Sequence, residues 1–135
     1  MGGTMFLAPH AARLLSILRI VAGLLFIEHG TMKLFNFPAS HMFDGTKLWS
    51  MVGVAGTLEL AGGILLVLGL LTRPVAFILS GEMAFAYFMV HAPQGFFPAL
   101  NMGEPAILYC FIYLYLAAAG GGAWALDGLI GKKTA

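Results

Sequence analysis

The stretch Ile20–Phe35 reads "IVAGLLFIEHGTMKLF". A hydrocarbon run takes on an acid, an imidazole and an amine (Glu28, His29 and Lys33) with no proline to break it. The solvent this helix meets is decided by the rest of the chain. Of 135 residues, 60% are hydrophobic and 10% charged, and the mean hydropathy is +0.91. A soluble domain carries about 25% charged residues, so the chain reads as all-α and integral to a membrane. A net charge of +1 excludes a polybasic nucleic-acid binder. The length fits one domain, residues 1–135.

A span needs about 20 mostly apolar residues, and four segments qualify: 14–34, 48–71, 74–90 and 105–126. They predict a four-helix transmembrane bundle. Thr72-Arg-Pro separates the second and third spans, which form a tight hairpin. Pro74 and Pro105 fit first helical turns, where a missing N–H is harmless. Arg19 interrupts the first run and no small-residue cleavage site follows Phe26, so that run is expected to stay in the mature chain. Arg13, Arg19, Arg73, Lys132 and Lys133 fall on one side, Lys33 and Lys47 on the other. Basic residues near span ends favour the cytoplasm, so both termini are expected there. The connections 36–47 and 92–104, rich in Phe, Met and Pro, are expected to lie on the outer surface, as interfacial anchors or as a lid.

The ionisable residues inside these spans are the candidate site. Glu59 and Glu82 lie at the midpoints of the second and third spans; Glu28 and His29 lie about 6 Å outward of the first span's centre. A lipid-facing acid costs about 2.5–3.5 kcal/mol, so the bundle is expected to turn all three carboxyls inward. Gly56, Glu59, Gly62 and Gly63 share one helical face, and small residues let helices approach closely. At about 100° per residue, His29 and Lys33 share a face while Glu28 points elsewhere. Because side chains lean toward the helix N-terminus, Lys33 leans into the membrane as the expected counter-ion of Glu59. Arg19 leans the other way and is expected to snorkel to water. These groups could equally act as interhelical glue. Tyr109 and Tyr113 share a face, and either pack as ordinary aromatics or stack on a ligand. A metal site is only weakly signalled: Glu28 and His29 are adjacent, so they cannot chelate from one helix face, and the Glu-x-x-His spacing of di-iron bundles is absent. A haem bridged by His29 and His91 stays open. The single Cys110 has no partner for a disulfide or for dithiol exchange.

Arg19 with "GLLFIEHGTMKLF" (23–35), "GTLELAGGILLVLGLLTRP" (56–74), "MAFAYFMVHAPQGFFP" (83–98) and "GGGAWALDGL" (120–129) together resemble the DoxX family over nearly the whole chain. The resemblance implies a four-helix protein of the prokaryotic plasma (inner) membrane. Its relatives include the DoxD-type subunit of thiosulfate:quinone oxidoreductase, and members associated with superoxide dismutase and sulfurtransferase partners. The expected function is therefore a membrane subunit of a redox system, taking a quinone-like or sulfur-containing small molecule into an intramembrane polar pocket. Glu59, Glu82 and His29 would carry protons; Lys33, Glu28, His91, Tyr109 and Tyr113 would bind the ligand. The cofactor is not named by the sequence. Soluble redox enzymes and a second copy of the chain are the expected protein partners. The competing readings are a proton-coupled carrier of a small molecule or lipid, and a scaffold for soluble redox enzymes.

Overall fold

The structure, a computed structural model, describes residues 6–134; residues 1–5 and 135 of the expected domain, and the side chains of Lys132, Lys133 and Thr134, lie outside what is described. No strand occurs among the described residues. Six α-helices follow in chain order: α1 Ala11–Phe35, α2 Met51–Leu68, α3 Thr72–Ala86, the single turn α4 Pro98–Asn101, α5 Glu104–Ala119 and α6 Leu126–Thr134.

Among the described residues, three continuous helical stretches are long and apolar enough to cross a membrane. They are Ala8–Phe35 at mean hydropathy 1.8, Met51–Leu68 at 2.0 and Thr72–Gln94 at 1.5. Helix α5 is apolar but shorter, with 16 residues, or about 24 Å at 1.5 Å per residue. The fourth span expected over 105–126 therefore ends early, at Ala119. Gly120 adopts φ +84, and the chain folds back before α6 begins. The cause lies in long-range partners of residues 120–127, described below.

The hairpin between α2 and α3 also sits three residues earlier than expected. Ser50 caps α2 by accepting a hydrogen bond from Gly53 N–H at 3.1 Å. At the other end Gly69 takes φ +72. Leu70 N–H then reaches the Leu65 carbonyl at 2.9 Å, and Gly69 N–H the Leu66 carbonyl at 3.1 Å. This pair of bonds is the Schellman closure, so the turn is residues 69–71 and Thr72 already opens α3.

Helix α1 packs along α2, α3 packs along α5, and α2 meets α3. The α1–α2 contact is backbone against backbone: a Cβ added at Gly30 would stand 2.5 Å from the Leu60 amide nitrogen. Helices α1 and α5, by contrast, are bridged by side chains. Buried Phe26 lies with its ring 5.0 Å from Tyr109 and 4.7 Å from Tyr113, and Tyr113 donates to the Ala22 carbonyl at 3.2 Å. Rings at such spacings favour tilted and edge-on packing.

The two ends of the bundle differ. At the turn end the start of α1, the α2–α3 turn and residues 120–127 come together. Arg19 is fully buried; it donates to the Trp124 carbonyl at 3.0 Å and to the Gly121 carbonyl. The expectation that Arg19 snorkels to water is thus corrected, because the returning chain supplies the acceptors that water would have supplied. Asp127 accepts from Leu71 N–H at 2.7 Å and Thr72 N–H at 2.9 Å, which caps α3. At the loop end, residues 36–50 and 92–103 cover the bundle.

Candidate functional site

In the loop-end half of the bundle, Lys33 of α1 extends to Glu59 of α2. Its ammonium donates to both carboxylate oxygens, at 2.6 and 2.8 Å. The Lys33 side chain is 17% exposed and that of Glu59 2%. The sequence dictates this contact locally. Gly56 and Gly63 are buried on the side of α2 that meets α1, where an added Cβ would strike Lys33, Gly23 and Ile27, so α1 comes close enough for a lysine to reach. The Phe43 ring, from the 36–50 connection, lies 5.9 Å from the Lys33 nitrogen, within cation–π range.

The pair forms the floor of a cavity of about 250 Å³. Phe26, His29, Met83, His91, Met102, Ala106 and Tyr109 are among its walls. Five residues singled out in the sequence thus meet at one place: His29, Lys33, Glu59, His91 and Tyr109. His29 stands at the exposed rim, its ring 6.1 Å from Phe26. Tyr109 stacks on Tyr113 at 5.9 Å with the planes 19° apart.

Three other candidates fall elsewhere. Glu28 is not turned inward as expected: it is exposed on the outside of α1, as its 100° offset from His29 requires. Tyr113 is fully buried and lies outside the cavity lining; its hydroxyl is committed to the Ala22 carbonyl. Glu82 also lies outside the lining. It is in electrostatic contact with Glu59 and Lys33, and both of its carboxyl oxygens are buried without a hydrogen-bond partner among the described residues. Two carboxyls therefore neighbour one ammonium.

His91 reaches the cavity because α3 widens. Residues Tyr87–His91 form a π-helical turn, a form that recurs at functional sites and that changes the angular spacing a regular helix would give. The ring of His91 bonds through Nδ1 to the Asn101 carbonyl at 3.0 Å. A carbonyl only accepts, so this bond assigns the hydrogen to Nδ1 and leaves Nε2 as the acceptor of the neutral ring.

Asn101 was not singled out in the sequence, although it organises this wall. It is 1% exposed. Its amide donates to the Gly95 carbonyl at 2.9 Å and the Tyr87 hydroxyl at 3.4 Å, and accepts from Gly103 N–H at 2.8 Å. Between them Met102 takes φ +64, a conformation uncommon for a residue with a side chain. The available signal was Asn-x-Gly in a loop, a pattern for side chain-to-backbone turns. No group of three or more His, Cys, Asp or Glu placed to hold a metal ion occurs among the described residues.

Comparison with known proteins gives this arrangement a family. The DoxX profile matches residues 14–92. An "Uncharacterized protein" of Haemophilus influenzae is 50% identical over 123 residues, 88% of this chain and 92% of that one. A Bacillus subtilis protein named "Putative oxidoreductase CatD" is 31% identical over 121 residues, 87% of this chain and 88% of that one. No solved structure matches the chain. The matched segment holds α1, α2, α3 and all of Lys33, Glu59 and His91, and the protein is a membrane protein belonging to the DoxX family.

Proposed function

We propose that the protein is a plasma-membrane subunit of a prokaryotic redox system, built as one domain over residues 1–135, with both termini cytoplasmic. Its cavity binds a small redox-active molecule, of which a quinone head group fits the chemistry best; a sulfur-containing small molecule is the second class. The observation that carries the reading is the Lys33–Glu59 pair at the floor of a cavity rimmed by two histidines and a tyrosine. Polar glue between helices has no use for an adjoining cavity. The name of the Bacillus subtilis relative points the same way.

Each residue then has a task. Lys33 donates a hydrogen bond to a carbonyl-like oxygen while Glu59 holds it in place. Glu82, adjoining that pair, holds the proton that charge balance leaves to two carboxyls facing one ammonium, and passes it toward the cavity by way of Glu59. His29 at the rim exchanges protons with the surroundings. The Nε2 of His91 accepts a hydrogen bond from a reduced, hydroxyl-bearing head. Tyr109 and Phe26 offer ring faces to stack against. Conversion of a quinone to a quinol takes up two electrons and two protons. The two protons fall to these side chains; the electrons come from a soluble redox-enzyme partner.

The test is binding in lipid nanodiscs. Decylubiquinone, duroquinone and thiosulfate are titrated in turn, and saturable binding of a quinone that weakens on Glu59→Gln is the expected result. Absence of saturable binding for all three would defeat the reading. Proton-coupled solute uptake in proteoliposomes, abolished by Glu59→Gln, would replace it with a carrier function.

A further inference from the structure

The cavity's position on the bundle says how it is entered. Helices α1 and α2 touch backbone to backbone, whereas α1 and α5 are held apart by the rings of Phe26, Tyr109 and Tyr113. Those rings close the gap in the core. Toward the loop end, His29 of α1 and Ala106 and Tyr109 of α5 line the cavity from its two sides. His29 is exposed, yet it lies six residues (35 minus 29) before the end of α1, about 9 Å along the axis. An exposed residue at that depth faces the flank of the bundle, not its end. Glu28 is exposed beside it. Polar side chains on a membrane-facing flank are rare without a function.

The volume adds a second constraint. Sites that enclose a whole drug-sized ligand span about 300–1,000 Å³, and this cavity is about 250 Å³. It holds about one ring with its substituents, and a longer molecule must leave the rest outside.

We infer that the cavity is entered sideways from the bilayer, through the gap between α1 and α5, by a lipid-dissolved molecule whose single-ring polar head reaches Lys33 and Glu59 while its apolar tail stays in the acyl chains. The identity of the head rests on the proposed function; the lateral portal does not. Between the two ligand classes, this route favours a tailed quinone-like amphiphile over a water-borne sulfur anion.

The portal is tested by fluorescence in nanodiscs. Trp49 and Trp124 are replaced by Phe, and a single tryptophan is introduced by Tyr109→Trp or, in a second protein, by His29→Trp. Emission is compared in ordinary phosphatidylcholine, in phosphatidylcholine brominated at mid-chain, and with aqueous iodide. The expected result is loss of most of the emission in the brominated lipid and little change with iodide. A protein retaining only Trp49, in the exposed connection 36–50, should show the reverse. Strong quenching by iodide at positions 29 or 109 would mean a mouth open to water, and no quenching by either agent a sealed cavity. Either outcome overturns the portal. Decylubiquinone and duroquinone are then titrated into the parent protein, with His29 and Tyr109 intact. Quenching by brominated lipid in the tryptophan variants without saturable binding of either quinone by the parent would leave the portal standing and refute the quinone reading alone.

Discussion

The two ends of this bundle satisfy their charged side chains in opposite ways. At the turn end, Arg19, Arg73 and Asp127 all bond to main chain: Arg19 to the carbonyls of Gly121 and Trp124, Arg73 to those of Ala117 and Ala118, Asp127 to the amides of Leu71 and Thr72. At the loop end Lys33 and Glu59 bond to each other beside a cavity, with Glu82 unbonded next to them. A side chain that saturates fixed backbone groups is committed to holding the fold. A side chain paired with another side chain at a cavity can exchange its partner for a ligand or a proton. The comparison teaches which of the chain's intramembrane charges to regard as chemistry.

The largest effect should come from breaking the cavity pair. Lys33→Met leaves Glu59 buried without its cation, a change that typically costs about 3–5 kcal/mol for a buried pair. Adding Glu59→Gln should recover much of the loss, measured as thermal denaturation in detergent. Equal stability of the single and double variants would show that the two residues are not coupled.

Arg19→Met should come next. It strips the Trp124 carbonyl of its side-chain donor and leaves the Gly121 carbonyl to the Ser16 hydroxyl; an unsatisfied buried group costs about 1–3 kcal/mol. Binding in the cavity, at the other end, should be unchanged in the folded fraction. Loss of binding without loss of stability would blur the distinction between the two ends.

The smallest effect is expected at Asp127. Burial raises its pKa, but the hydrogen bonds from Thr72 and Leu71, with the nearby charge of Arg19, outweigh that and hold the carboxyl below its ordinary value. The folded pKa lies below the unfolded one, so the cap's contribution is complete above the unfolded value, about 3.9. It is lost as pH falls through the folded value. Asp127→Asn should destabilise by about 1 kcal/mol near neutral pH, and the gap from the parent should close in acid below about pH 4. A gap that widens in acid would reverse the assignment.

Much of the loop-end site was legible in the sequence because it depends on local spacing. The glycine face around Glu59 and the shared face of His29 and Lys33 follow from helical repeat alone, and the lean of Lys33 from Cα–Cβ geometry. The turn end was not legible. The acceptors of Arg19 lie 102 and 105 residues away, and no periodicity announces such partners. The same omission made α5 look seven residues too long (126 minus 119). Tyr113 was assigned to the site on a helical face it does share with Tyr109; that a backbone carbonyl takes its hydroxyl depends on how α1 and α5 pack. His91 closes a π-helical turn, where counting 100° per residue fails. Glu82 is singled out by its depth in the third span, and depth does not say whether a residue lines a cavity or adjoins it.

The most direct measurement is decylubiquinone binding by the folded Lys33→Met/Glu59→Gln double variant in nanodiscs. With the pair replaced by neutral groups the bundle should keep near-parental stability. Affinity should fall about tenfold or more, as expected for losing one hydrogen bond from a charged group. A stable double variant that binds decylubiquinone as tightly as the parent would contradict the account, and would return Lys33 and Glu59 to the status of interhelical glue.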